Sequence, residues 1–491
     1  MNDILLNLNI KDLNEKIINK NIENIAIKLE ELSPKNDKHK YNCLSCIYGA
    51  FLGDSMGSCC EFSYPSNTNH LGIFENIGIF LPGEVTDDSE MAMSSAFAYI
   101  DILNENPSRE QDIIYYYFCV WRCTGPKDIG NATSNALRFW KDKTIEETEY
   151  NYEIVKGFNW DSLANGFLMR ISTFISYYYY KNLKTIYNTI EKYFTNEIDE
   201  ITEEIRHLYY DIYTESSKNT EITHPNYENG ISSAVFTLMA LIGMVTNDAN
   251  KVYSMFKKIT FCKNFFDCHK DKYRKIIAEQ TQKKYVDIIK EVETGKITPV
   301  YSLMGYYLHG FKLSVYYVKK LADKDKNLQE DTYYKIMCEV CDFGGDTDTN
   351  CAIVGAMIGP LIGYKNFNEN YFDQFIRFIP EERCQFNSAF MYIYVNYLEE
   401  KLLNEKNKSK ENEKKENEVK DENKNLEEED NKDKAPKDND KKNNKNNEEK
   451  GENSYISKIK NLFGINEKNG KGFKYTAFKL LMQFFHEEIN I

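Results

Sequence analysis

From Tyr41 to about Leu402 the apolar residues recur three and four positions apart, and short Gly, Pro, Asn and Asp runs punctuate them. That spacing puts the apolar residues on one side of a helix, whereas the period-two alternation of strands between Asn-Gly-type turns is scarce. The pattern predicts an all-α fold, a compact multi-helix bundle. The longest apolar run, Cys351 to Gly363, predicts a buried helix. Residues 1–40 predict an N-terminal helical extension of one or two amphipathic helices, broken at "SPKND" (Ser33 to Asp37). Within the core, Tyr177 to Ser216 and Met255 to Thr298 read as helical insertions, and no repeat of fixed period occurs. Residues 41–403 are read as the principal domain. Residues 404–452 are Lys, Glu and Asn with almost nothing apolar, so burial cannot offset the entropy of ordering and a disordered linker is expected. Residues 453–491 form an amphipathic helical tail on this reading, carrying Phe473, Phe478, Leu480, Leu481, Phe484 and Phe485.

Charge and cysteine usage narrow the class. A formal net charge of −14 argues against a general nucleic-acid binder, which meets phosphate with clustered Lys and Arg. The start of the chain is too often interrupted by charge for a signal peptide core, and no apolar run approaches the roughly 18 residues of a membrane span. No transmembrane segment is expected, and an intracellular, cytoplasmic, monomeric protein is. Of the 12 cysteines, "CLSC" (Cys43, Cys46) and "CEVC" (Cys338, Cys341) have the spacing of zinc ligands, but both lie in helical patterns and read as ordinary buried cysteines.

Four Gly- and Asp-rich stretches concentrate the chemistry. "GAFLGDSMGSCCEF" (Gly49 to Phe62) repeats Gly49, Gly53 and Gly57 every fourth residue, which permits close helix contact or a tight turn, and reaches Glu61. "GEVTDDSEMAM" places Thr86, Asp87 and Asp88 ahead of an apolar helix; "SLANGFLMRIS" puts Asn165-Gly166 in a turn before Met169-Arg170. "FGGDTDTNCAIVGAMIGPLIG" sets Asp346, Thr347, Asp348 and Thr349 between a Gly-Gly pair and small apolar residues. Helix capping accounts for one Asp at each site, stabilising by roughly 0.5–2 kcal/mol. It does not account for paired carboxylates flanked by hydroxyls, occurring twice. Such carboxylates repel unless a cation offsets them, and an oxygen-only donor set suits Mg²⁺, Mn²⁺ or Ca²⁺. The two clusters therefore suggest a two-metal site built from two helix N-termini.

In this order, with "THP" (Thr223 to Pro225) between the third and fourth, the motifs resemble the ADP-ribosylglycohydrolase family, which includes the dinitrogenase reductase-activating glycohydrolases. The resemblance covers roughly residues 41 to 395. It implies an all-α bundle with two Mg²⁺ ions, Mn²⁺ being a possible substitute. Thr86, Asp87 and Asp88 would bind the metals from one side, and Asp346, Asp348 and Thr349 from the other. Glu61 matches an acidic residue at the metal site. Asp128 and Gly130 in "GPKDIGNATSNAL" resemble the loop bordering the ribose and diphosphate. Asn165, Gly166, Met169 and Arg170 match the segment lining the ADP-ribose cleft, with a buried structural ion pair as the alternative for Arg170. His224 matches a position near the nucleotide. Ser89, Thr173 and Cys351 depart from the commonest family pattern without touching an implied ligand.

The activity so implied is magnesium-dependent cleavage of the glycosidic bond between ADP-ribose and a modified protein side chain or small-molecule acceptor. Glu61, Asp87 and Asp346 are the candidates for proton transfer. A non-catalytic ADP-ribose-binding or crystallin-like member is the alternative, and spacing alone also permits a two-metal phosphoesterase. Having no apolar face, residues 404–452 should contribute nothing to catalysis. Deleting them should leave turnover of an ADP-ribosylated substrate unchanged, and a large loss would show that the segment orders against the site.

Overall fold

A computed structural model describes residues 37–66, 79–104, 107–140, 143–196, 198–323, 331–378, 386–399 and 401–402. Most of the N-terminal extension, the charged linker and the aromatic tail lie outside these residues. The chain divides into two compact units, Met1–Asn396 and Tyr397–Ile491, and everything below concerns the first. In chain order the helices are α1 (Lys38–Gly57), α2 (Asp87–Asn104), α3 (Glu110–Cys123), α4 (Asn131–Leu137), α5 (Tyr152–Asn159), α6 (Ile171–Lys181), α7 (Leu183–Thr195), α8 (Glu203–Thr220), α9 (Tyr227–Thr246), α10 (Ala249–Phe261), α11 (Lys272–Thr294), α12 (Tyr307–Asp323), α13 (Thr332–Asp342), α14 (Thr347–Ile362), α15 (Glu369–Arg377) and α16 (Phe390–Glu399). The described residues contain no strand, only the isolated antiparallel bridges Ser63 with Gly345 and Ala164 with Tyr306. The all-α expectation holds.

Local chemistry sets many of the helix ends. Asp37, Asn151, Thr202, Asn226, Asp248 and Asp271 each accept first-turn N–H bonds through the side chain, a cap contributing about 1 kcal/mol. Asn247 and Gly295 close α9 and α11 in the left-handed conformation.

Helix α14 is apolar all round and buried at every residue, which only a central helix tolerates. It packs against α1, α9, α12 and α13, and its contact with α1 is the most extensive between any two described helices. The cause is written in the glycines. A methyl added at Gly49 would strike the carbonyl of Gly355, one at Gly53 that of Cys351, and one at Gly57 that of Thr347. The reverse holds for Gly355 against Gly49 and for Gly359 against Ser45. The four-residue glycine spacing thus serves helix contact, backbone against backbone, rather than a turn.

Two expectations change. Helix α9 is long and apolar enough to cross a membrane, with a mean hydropathy of 1.5, yet 94% of that stretch is buried inside the protein. Gly230, Ser232, Ser233, Thr237 and Gly243 break its apolar run in the sequence while adding little bulk. The stretches read as insertions also supply core: Tyr177 stacks on Tyr99 at 4.4 Å and Tyr285 on Phe311 at 5.2 Å. Cys43, Cys46, Cys338 and Cys341 are buried on α1 and α13 outside any disulfide, as ordinary core cysteines.

Gly355→Ala should therefore destabilise by at least about 3 kcal/mol, because the added methyl meets backbone that cannot move aside. Gly157→Ala, where nothing lies within 4 Å of the new methyl, should instead gain about 0.5–1 kcal/mol. Urea midpoints at unchanged m-value measure both, and equal effects would contradict the contact as the constraint.

Candidate active site

The α1–α14 contact brings the end of α1, and the short turn Ser58–Cys60 after it, to the N-terminus of α14. There Gly344 and Gly345 adopt φ of +68° and +80°, which side chains resist. Their backbone pairs with the strand-like segment after Glu61: Phe62 N–H donates to Gly345 O at 2.7 Å and Gly345 N–H to Ser63 O at 2.9 Å. A Cβ on Gly344 would press on the Ser63 carbonyl. The glycine pair thus sets Glu61 beside the aspartates. Glu61, Asp346 and Asp348 each place a carboxylate oxygen within 4.8 Å of the others. Among the described residues no cysteine pair joins such a group.

Capping does not account for the aspartates. Asp346 occupies the N-cap position of α14, but its side chain accepts none of the helix N–H groups. Its Oδ2 accepts instead from Asn165 Nδ2 at 2.7 Å. At α2 the capping carboxylate comes from another helix. Asp54 of α1 accepts from Thr86 N–H at 3.0 Å, Ser89 N–H at 3.2 Å and the Ser89 hydroxyl at 2.6 Å. Asp87 and Asp88 are left for other work. Asp88 Oδ2 accepts from the hydroxyls of Thr86 and Thr349, both at 3.2 Å, tying the two Asp/Thr motifs together. Asp88 Oδ1 and Asp348 Oδ1 are buried with no hydrogen-bond partner. An unsatisfied buried oxygen costs about 1–3 kcal/mol, and carboxylates with hydroxyls are the donor set of a hard dication. The residues present fit such ions.

Electrostatics points the same way. Burial, reinforced by Asp128 for Asp87, by Asp54 for Asp88 and by Asp346 for Asp348, holds all three well above the usual carboxylate range. Burial and the charges of Asp346 and Asp128 push Glu61 up to about 8. Burial also raises Asp54 to about 6, against the downward pull of its hydrogen bonds to Ser89 and Thr86.

These groups form one end of a cleft of about 440 Å³. Glu61, Asp87, Asp346, Asp348 and Thr349 line that end; Thr86 and Asp88 are buried. Asp128, close enough to the acids to act on Asp87 and Glu61, and Gly130, leading into α4, also line the cleft, as do Asn165, Gly166, Met169 and His224. Arg170 is a correction. Its guanidinium, 1% exposed, is absent from the cleft lining and bonds the carbonyls of Gly166 and Asn219, Asn219 Oδ1 and Thr223 Oγ1. These acceptors are uncharged, so the ion-pair alternative does not describe it either. Sequence reasoning missed Asp54, although a lone acid inside the apolar "GAFLGDSMG" is a signal. It also missed Phe62, Met304 and Gly305 of the cleft lining, for which the sequence has none. Phe62 is 60% exposed and Leu303, beside Met304, 78%. Among the described lining residues there is no Lys or Arg.

Residues 35–388 match the family model for ADP-ribosylglycohydrolase. The chain belongs to the ADP-ribosylglycohydrolase family. A protein of Acanthamoeba polyphaga mimivirus that carries the name ADP-ribosyl glycohydrolase is 24% identical over 374 residues, which span 71% of this chain and 95% of that protein. A solved chain described as an ADP-ribosylglycohydrolase-related protein complex is similar at 14% identity and a TM-score of 0.46, covering 74% of this chain and 99% of its own. Membership of the family supports ADP-ribosylglycohydrolase activity in general.

The acid cluster also fixes a pH dependence. Carboxylates with folded pKa values above their unfolded values bind more protons in the folded state, so the stability they contribute falls as pH rises toward the folded value. The histidines with resolved shifts, His39, His224, His269 and His309, are all lowered and have finished titrating by about pH 7. In chelator, the melting temperature should therefore drop between pH 7 and 8.5, and Asp348→Asn should flatten the drop. A flat wild-type profile would contradict the cluster as described.

Proposed function

We propose that the cleft hydrolyses the glycosidic bond between ADP-ribose and a protein side chain or small-molecule acceptor, releasing ADP-ribose. Two Mg²⁺ ions, replaceable by Mn²⁺, take part. The observation that carries this reading is the pair of buried, unpartnered oxygens, Asp88 Oδ1 and Asp348 Oδ1, in an acid cluster whose cleft lining offers no cationic side chain. Thr86, Asp87 and Asp88 would hold the ions together with Asp346, Asp348 and Thr349. When bound, such ions offset the carboxylates, orient ribose hydroxyls and acidify a water.

The chain's own residues do the rest. Asn165 holds Asp346 through Oδ2 and so fixes the orientation of its carboxylate. Asp87, Asp346 and Glu61 face the cleft and are the groups able to move a proton to or from the reacting oxygens. Their residual negative charge complements the positive charge that builds on the ribose ring as the bond breaks. Asp128, Gly130, Gly166, Met169 and His224 line the wall along which the nucleotide would lie, with Asn165 serving both parts. A purely binding or bulk role leaves the unpartnered oxygens without a purpose. None of the described cysteines forms a disulfide, which suits a reducing, cytoplasmic setting.

The test is Asp348→Asn with an ADP-ribosylated peptide. In chelator the variant should melt no lower than wild type, because neighbouring acids repel less. It should gain less stability from Mg²⁺ and lose turnover by about 100-fold or more. Full turnover with an unchanged magnesium shift would end the assignment, and AMP as the product would replace it with diphosphate cleavage.

A further inference from the structure

Behind the cleft wall, Arg170, Thr223 and His224 form a chain of hydrogen bonds whose direction can be deduced. The Arg170 guanidinium carries donors and no acceptor, so Thr223 Oγ1, 2.8 Å from Nη2, accepts from it. Thr223 is 0% exposed, and its Oγ1 also lies 2.8 Å from His224 Nδ1. A hydroxyl has a single proton. Were Nδ1 protonated, Oγ1 would accept from both neighbours through its two lone pairs, and its own buried hydroxyl proton would face two donors, a cost of about 1–3 kcal/mol. The hydroxyl therefore donates to Nδ1, and the ring proton sits on Nε2.

His224 lines the cleft, and its Nε2 has no hydrogen-bond partner. Gly166 packs against that edge of the ring, where a methyl would come 2.8 Å from Cε1 and 3.3 Å from Nε2. Arg170 is itself immobilised by Asn219, whose Nδ2 is in turn held by Ser95 and Tyr99, and by the Phe118 ring 4.6 Å below it. We propose that Arg170, acting through Thr223, is a positioning residue that locks His224 in the Nε2–H tautomer, a neutral donor to an acceptor atom of the bound nucleotide. This rests on the functional reading above, which supplies the nucleotide. Burial, then the nearby Arg170 charge, holds the imidazole well below its ordinary range, in keeping with a donor that stays neutral. With no Lys or Arg in the lining, this part of the cleft meets its ligand with a dipole rather than a charge.

The full-length protein labelled with ¹⁵N-histidine tests this directly. Its 7 histidines leave few resonances, and His224→Gln identifies those of His224 by their loss. The free protein should show Nε2 protonated and Nδ1 unprotonated, unchanged from pH 5 to 8. Thr223→Val should lose the fixed tautomer and bind ADP-ribose about three- to tenfold more weakly, the range of one net hydrogen bond. Thr223→Ser should restore both. An Nδ1–H spectrum in wild type, or Thr223→Val with wild-type tautomer and affinity, overturns the proposal. Should Thr223→Val fail to fold, the wild-type spectrum and Thr223→Ser still decide it. A wild type that does not bind ADP-ribose overturns the functional reading and the ligand half of this one, while the free-protein spectrum still settles the tautomer.

Discussion

The site depends on two helices touching without side chains between them. Packed helices are ordinarily held 8–10 Å apart by the residues at the contact. Gly49, Gly53 and Gly57 on α1, with Gly355 and Gly359 on α14, remove that spacer. Three consequences follow along one line of contact: Glu61 arrives beside the start of α14, Asp54 reaches the start of α2, and the two Asp/Thr motifs meet through Asp88 and Thr349.

Such a site is stable only because its tasks are divided. An aspartate that caps its own helix spends its oxygens on backbone N–H groups. Here α2 receives its cap from Asp54, and the aspartates at the starts of α2 and α14 keep oxygens free. Several acids are thereby buried together, each opposing the ionisation of the others, which destabilises the fold. Active sites commonly carry such local penalties, which the rest of the core must outweigh. The wholly buried α14 and the almost wholly buried α9 supply that core.

How much could be read from the chain alone follows from distance along it. The Asp/Thr motifs were legible because their carboxylates and hydroxyls are consecutive residues, and the glycine period left helix contact or a turn as its two readings. Asp54 was not, since its partners lie 32 and 35 residues away and only the fold brings α2 to it. Arg170 was misplaced for a geometric reason. Both residues sit in the turn that precedes α6, where no helical period assigns a face, and Met169 lines the cleft while Arg170 is turned into the core. Helix α9 escaped notice because small polar residues, harmless in a close-packed core, interrupt its hydropathy. The cleft lining at Phe62, Met304 and Gly305 belongs to loops, where neither period nor motif operates.

The glycine contact also separates what evolution can change from what it cannot. Along α1 and α14 a single methyl is too much, so the spacing of the carboxylates is frozen. The exposed side chains of Phe62 and Leu303 carry little of the packing, and substitutions there leave the glycine contact untouched. Drift at these loop positions can therefore reshape the surroundings of the cleft while the spacing of the carboxylates is inherited unaltered.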